Sequence, residues 1–199
     1  MSGLSDGGLL EADSAALLRA VRGLLAAKGI ASPAEIAERI AVTDAASPAQ
    51  GSRMVARAWV DPEYRALLMR DGAVAAEALG IPMRGMPPLG VLENTSELHH
   101  LIVCTLCSCY PRAVLGYPPF WYKSVGYRAR AVRDPRGLLA EFRTVLADGV
   151  RVRVVDSTAD YRWMVLPLRP AGTEGWSEER LAAIVREGDM VGVTVPAAA

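Results

Sequence analysis

With 199 residues, 51% of them apolar and 22% charged, the chain has the apolar mass for one domain, or one domain plus an arm. Its 22 basic and 22 acidic residues balance, which excludes the electrostatic footprint of a nucleic-acid or acidic-membrane binder. No apolar run approaches the ~20 residues that a membrane span needs, and Met1 to Gly8 lacks the basic-then-apolar order of a signal peptide, so a cytoplasmic protein is expected.

Residues 1–12 are Gly-rich and read as loose. From Asp13 the positions Leu17, Val21, Leu24 and Leu25 recur at helical spacing, and Gly29 is placed to end that helix. Ser32-Pro33-Ala34-Glu35 is a capping box with proline at the first helical position, so a second helix runs to about Val42. Ser47-Pro48 and Asp61-Pro62 repeat the cap-then-proline signal and predict helices near 48–59 and 62–70. A shorter helix from Ala73 stops at Gly80, and residues 80–90 form a Pro/Gly-rich linker.

From Val91 the signal changes to short strands. Val91-Leu92-Glu93 and Leu101-Ile102-Val103 are apolar β-like runs. Helical signals follow from Trp121 to Val132 and from Asp134-Pro135 to about Leu146. Val150 to Val155 alternates Val and Arg, the period of a half-buried strand, and Trp163 to Leu166 reads as another. Ser177 starts a helix to about Arg186, and Met190 to Val195 reads as a last strand. The expectation is an α+β chain with a mixed or antiparallel sheet. It divides into a helical arm and linker, 1–90, and an α+β core, 91–199. The first part is either half of a helical domain or an arm whose apolar faces need another chain. An arm would expose a stripe including Val55, Trp59 and Leu67.

All three cysteines fall in Val103-Cys104-Thr105-Leu106-Cys107-Ser108-Cys109-Tyr110. Clustered cysteines in a reducing compartment read as metal ligands rather than as a disulfide framework. If the amides of Ser108 and Cys109 lose their protons, those nitrogens and the sulfurs of Cys107 and Cys109 can form fused chelate rings in one plane. Cys104, one turn back, reaches the ion from below, and the opposite position stays open. Soft sulfur donors select Fe, Co, Cu or Zn. Amide nitrogens give up a proton only to a strongly Lewis-acidic, trivalent ion, and an open position on it can polarise a substrate or activate water. The competing reading is a non-catalytic tetrahedral zinc or redox-binding module, with His99 or His100 as fourth ligand.

The run Cys-Thr-Leu-Cys-Ser-Cys-Tyr, followed by Leu115-Gly116, Pro118-Pro119, Trp121-Tyr122-Lys123-Ser124 and Tyr127-Arg128-Ala129-Arg130, resembles the α-subunit of nitrile hydratase. So do Val55 to Tyr64, Arg133 to Arg136, Met164 to Pro167 and Arg169 to Trp176, and the resemblance extends from about Val21 to Pro196. It implies a layered α/β/β/α core behind an arm that wraps a β-subunit. It implies cobalt(III), with iron(III) as the alternative, because Thr105 matches the cobalt form of the motif. Cys104 is then the axial thiolate, Cys107 the sulfinic and Cys109 the sulfenic cysteine, and Ser108 and Cys109 give amide nitrogens. The implied reaction is hydration of a small nitrile to its amide at Cys109, in a heteromer, with a metallochaperone to load the ion. The related thiocyanate hydrolase γ-subunit is the alternative on the same scaffold.

Three sulfur anions and two amidates outweigh a trivalent ion by about two charges, and such an excess needs cationic donors nearby. The resemblance assigns these to two β-subunit arginines. Within the chain the nearest in sequence is Arg112, and it is also a departure: the family block has Tyr-Pro-Trp where this chain has Tyr110-Pro111-Arg112. Arg112 either points to solvent or makes the substrate pocket more polar, suited to a polar, heteroaromatic or nucleoside nitrile. His99 and His100 read as structural histidines beside a buried strand. Arg128, Arg130, Arg133 and Arg136 read as surface or subunit-contact charges, and Trp121 and Tyr122 as core or interface aromatics.

Overall fold

The structure, a computed structural model, describes residues 6–198, with side chains from Asp13 onward. It divides into two compact units, Met1–Asp44 and Ala45–Ala199.

The first unit holds α1 (Asp6–Ala27) and α2 (Pro33–Ala45). Of the segment expected to be loose, residues 1–5 lie outside the described part, and from Asp6 the chain is helical. Gly29, at φ 63°, ends the first helix in the left-handed region that its missing Cβ permits. The capping box forms as expected: the Ser32 amide donates to Glu35 at 2.7 Å and the Glu35 amide to the Ser32 hydroxyl at 3.2 Å. Leu17, Leu18, Val21 and Leu24 are all exposed, and α2 buries no residue.

The second unit begins with α3 (Pro48–Val60), α4 (Pro62–Arg70) and α5 (Gly72–Ala78). Asp61 caps α4 by accepting from the amides of Glu63 and Tyr64, and Asp71 caps α5 in the same way through Ala73 and Val74. These helices are not an arm with a bare apolar face. Met54, Val55 and Leu68 are completely buried, and Trp59 and Leu67 are half-buried against the same core. The expected exposed stripe on Val55, Trp59 and Leu67 is therefore absent. The reason is close packing: a Cβ on Gly51 would sit 2.7 Å from both Leu115 Cδ2 and Met190 Sδ, so α3 lies directly on later elements of its own unit. Trp59 also donates its indole N–H to the carbonyl of Pro167 at 2.9 Å. The division between units falls at Asp44/Ala45, ahead of the 80–90 linker.

Four strands follow: β1 (Leu89–Glu93), β2 (Leu98–Val103), β3 (Arg151–Asp156) and β4 (Arg162–Leu166). They form two two-stranded sheets, β1 with β4 and β2 with β3, and both pairs are parallel. This corrects the expected mixed or antiparallel sheet. Each pair joins strands far apart in sequence, and long crossover connections containing helices permit parallel pairing. The helices are α6 (Arg112–Leu115), α7 (Phe120–Lys123), α8 (Val125–Arg133), α9 (Pro135–Glu141), α10 (Glu178–Ile184) and α11 (Glu187–Val191). The predicted last strand over 190–195 is instead the end of α11 and a turn. The Arg186 amide donates to Asp189 Oδ2 at 2.8 Å, and Gly192, at φ 86°, closes the helix against β2. A short apolar run there is buried either way, so periodicity alone could not choose. Helix α9 stops at Glu141, short of Leu146, because Arg143 turns the chain at φ 61°.

Candidate metal centre

The cysteine run leaves the C-terminal end of β2. Val103, the last strand residue, accepts from the amide of Ser157 at 2.7 Å, so the β2–β3 ladder continues to the threshold of the loop. Asp156, at the end of β3, then takes over: it accepts the Thr105 amide at 3.0 Å and the Thr105 hydroxyl. From the other side Arg128 donates to the Thr105 carbonyl at 3.3 Å. Tyr122, fully buried, donates its hydroxyl to the carbonyl of Cys109 at 2.8 Å, and Tyr127 donates to the carbonyl of Ile102 at 2.6 Å. Both ends of the loop are thus tied to rigid elements.

Three sulfurs converge inside this frame. Cys104 Sγ lies 3.6 Å from Cys107 Sγ, which lies 3.3 Å from Cys109 Sγ, and all three fall within 4.8 Å of one another. With metal–sulfur bonds of about 2.3 Å, adjacent ligands at right angles stand about 3.3 Å apart and tetrahedral ones about 3.8 Å. The Cys107–Cys109 separation matches the right-angled value and the Cys104–Cys107 separation falls between the two, so the three sulfurs are spaced to bind one ion together. Cys104 and Cys109 are buried and Cys107 is exposed. Hydrogen bonds from Cys109, Cys104 and the Ser108 backbone hold the Cys107 thiol below its usual value, whereas burial pushes Cys109 up to about 12. Anionic character therefore gathers first on Cys107, at the open face.

Behind the sulfurs stands an aromatic wall. Tyr110 meets Tyr122 edge-on at 4.9 Å between ring centroids, and Trp121 meets Tyr127 and Phe142, each at 5.0 Å. Tyr110 donates to Glu187 Oε1 at 2.6 Å, and burial raises both groups, so the pair is a neutral phenol on a partly desolvated carboxyl.

The histidines do not join the cluster. Asn94 Nδ2 lies 3.1 Å from His99 Nδ1, and His99 Nε2 lies 2.7 Å from the Gly192 carbonyl. Nδ1 is therefore the acceptor and Nε2 carries the proton. The His100 amide donates to Asn94 Oδ1 at 2.8 Å. Burial lowers both imidazoles, so they stay neutral, His99 pinning β2 to the end of α11 and His100 facing Asn94. The fourth ligand of the zinc reading is not supplied: among the described residues the metal-capable cluster holds the three cysteines alone.

Arg112 opens α6 and is exposed, with its guanidinium stacked 4.2 Å over the ring of Tyr117. It also lines a cavity of about 90 Å³ together with Met83, Met86, Leu89, Tyr110 and Arg162. Asp156, Arg128 and Arg162 are the residues that sequence reading missed. The only signal for Asp156 was that it ends the alternating Val/Arg run; nothing in the sequence linked Arg162 to the cysteines.

A parallel-stranded α+β frame with a three-sulfur loop at a strand end defines a metal-binding enzyme chain. The family model for the nitrile hydratase α chain matches residues 12–194. The α-subunit of the low-molecular-weight cobalt-containing nitrile hydratase of Rhodococcus rhodochrous is 47% identical over 92% of this chain and 88% of its own length. The γ-subunit of thiocyanate hydrolase from Thiobacillus thioparus is 46% identical over 75% of this chain and 66% of its own. Among solved structures, an iron-type nitrile hydratase of Comamonas testosteroni carrying two histidine-to-alanine substitutions aligns at a TM-score of 0.83 and 38% identity, over 98% of this chain and 93% of that one. A thiocyanate hydrolase carrying an arginine-to-tryptophan substitution aligns at 0.83 and 40%, over 98% and 91%. The chain belongs to the nitrile hydratase α-chain family, a family of hydro-lyases. No helix among the described residues is long and apolar enough to cross a membrane.

Proposed function

We propose that this chain is the metal-bearing subunit of a cobalt-type nitrile hydratase, adding water across a nitrile to give the amide. The observation that carries the reading is the convergence of Cys104, Cys107 and Cys109 sulfurs on a loop clamped at both ends. Cys104, Cys107 and Cys109 give sulfur, and Ser108 and Cys109 give amide nitrogen. The ion is cobalt(III), as the names of the cobalt-containing relatives support. When bound, it would supply Lewis acidity toward the nitrile.

The chain's own residues do the rest. Cys107, exposed and thiolate-prone, is the thiol that dioxygen or a peroxide from solution would oxidise to the sulfinic acid, gaining two oxygens, and Cys109 the one it would oxidise to the sulfenic acid, gaining one. The nucleophile toward the nitrile carbon is the sulfenate oxygen of Cys109 or a water beside it, and one water is consumed per amide formed. Tyr122 and Asp156 keep the loop from relaxing when charge shifts in it. The excess charge of the thiolate and amidate set calls for donors from a β-subunit, which makes the working form a heteromer; we place it in the cytoplasm, loaded by a metallochaperone. Arg112 faces the substrate side and selects a polar or heteroaromatic nitrile.

A second reading, the thiocyanate hydrolase γ-subunit, is favoured by one observation. Two arginines, Arg112 and Arg162, line the cavity beside Tyr110, where an anionic substrate gains and a neutral nitrile does not. Co-expression with the product of the neighbouring gene, cobalt analysis, and parallel assays on a nitrile and on thiocyanate test both. The first reading expects about one cobalt per chain, two added oxygens on Cys107 and one on Cys109, and amide from the nitrile. A zinc-loaded, unoxidised chain without either activity would remove both readings.

A further inference from the structure

We infer that Arg162 and the cavity that it lines form an anion-binding subsite beside the cysteine loop, for a small ligand with an apolar body and one negative end. The inference deepens the reading of the centre above, and its test reads binding rather than turnover.

Arg162 is the first residue of β4 and sits in register with Leu89 of β1. Its backbone is settled: its amide donates to the Pro88 carbonyl at 2.9 Å. Its side chain is not. The guanidinium finds no hydrogen-bond acceptor among the described residues, and its Nη1 is enclosed without one. Arg57 and Arg128 each also bury an Nε without a hydrogen-bond acceptor, but their guanidinium ends are engaged, Arg57 with Glu178 and Arg128 with the Thr105 carbonyl, and Arg169 reaches Thr173 and the Trp59 carbonyl. An enclosed, unpaired donor costs about 1–3 kcal/mol, and more when charged. Such a group is explained by an acceptor that arrives with a ligand or ion.

The cavity defines the rest of the ligand. Its walls are Met83, Met86, Pro87, Leu89, Ala113 and Val114, apolar side chains on the linker, β1 and α6. About 90 Å³ accommodates a ligand of a few heavy atoms, since one water needs only ~10–15 Å³ by the same measure. The polar side chains on the wall are Tyr110, Arg112 and Arg162. The Tyr110 hydroxyl is committed to Glu187 and the Arg112 guanidinium to the Tyr117 ring. Arg162 alone of the three has no such engagement. No carboxylate lines the cavity, so an incoming anion meets no like charge on its wall.

The test compares ethanesulfonate with ethyl methyl sulfone, its neutral isostere, by calorimetry on the purified cobalt-loaded protein. Sulfonates are weak metal ligands, so binding reports the cavity. We expect the wild type to prefer the anion by about tenfold or more, and Arg162→Gln to reduce that preference to about twofold or less with its circular dichroism unchanged. Arg162→Lys should retain part of it. Ala113→Leu, which narrows the cavity and leaves Arg162 in place, should weaken the anion as well. Equal affinity for the two probes, or binding of neither, overturns the subsite whether or not any variant folds. A preference that survives Arg162→Gln also overturns it. So does anion binding confined to the cobalt-free protein, because Arg162 would then belong to the oxidised cysteines. Anion binding without nitrile hydration would instead leave the subsite standing and remove the nitrile hydratase reading.

Discussion

Asp156 accepts two hydrogen bonds from Thr105, one from its amide at 3.0 Å and one from its hydroxyl, and so fastens the start of the cysteine loop to the end of β3. The contact ties the loop to the strand that pairs with β2, from which the loop departs. Fixing the loop before an ion arrives lowers the ordering cost of binding it.

Replacing Asp156 with Asn keeps one acceptor and loses the charge. The expected stability loss is about 1 kcal/mol, measured by urea unfolding of the cobalt-free chain. The larger expected effect is on loading: cobalt per chain should fall severalfold, with helix content unchanged. Full cobalt occupancy in Asp156→Asn would show that the loop holds its shape without this clamp.

Tyr122 fixes the other end. Its hydroxyl donates to the Cys109 carbonyl within a buried aromatic cluster, so Tyr122→Phe strands that carbonyl without opening a cavity. The cost should be about 1–3 kcal/mol. Because the carbonyl belongs to a proposed ligand residue, the variant should also lose cobalt faster to a chelator than the wild type. Equal loss rates together with lower stability would confine Tyr122 to the core.

The histidine pins give a pH signature. Burial lowers His99 below 6.5, so the folded chain holds it neutral while the unfolded chain takes up a proton as pH falls through about 6.5. A lowered folded value means that this contribution is complete above about pH 6.5 and is lost as pH falls from there. Glu187 and Asp189, both raised by burial, act in the opposite sense, stabilising the fold as pH falls toward the carboxylate range. The difference between wild type and His99→Gln isolates the imidazole. It should shrink from pH 7 to pH 5.5 by up to about 1.4 kcal/mol per pH unit. A difference that does not vary over this window would mean that His99 titrates normally.

Much of the chain could be read directly. Ser32, Asp61, Asp134 and Ser177 announce helix starts because a cap is a local contact between near neighbours. The cysteine cluster was visible for the same reason: all three cysteines lie within six residues of chain. What escaped were relations between distant segments. The parallel pairing of β2 with β3 is set by which strands meet, not by either strand's own pattern. Val55 reads as a partner-facing residue until Leu115 and Met190 are seen closing over α3. Asp156 and Arg162 carry no motif; each acquires meaning only when β3 and β4 bring it beside the loop.

The final prediction concerns Arg112. It stands where the family block has tryptophan, at the head of α6, exposed, with its guanidinium over Tyr117 and its side chain on the cavity wall. Arg112→Trp removes five donors and restores a large apolar surface. The Tyr117 ring can stack on an indole as well as on a guanidinium, so stability should change by less than about 1 kcal/mol. Selectivity should not stay put. A hydrogen-bonding wall rejects ligands that leave it unpaired far better than an apolar wall rejects a methylene. The ratio of kcat/KM for an aliphatic nitrile over a heteroaromatic one should therefore rise about tenfold or more, or ~1.4 kcal/mol of transition-state discrimination. If the second reading is right, the same variant should lose thiocyanate turnover instead, through a raised KM. A ratio that does not move, with thiocyanate untouched, would mean that Arg112 serves the surface stack on Tyr117 and that the specificity of this site is set elsewhere.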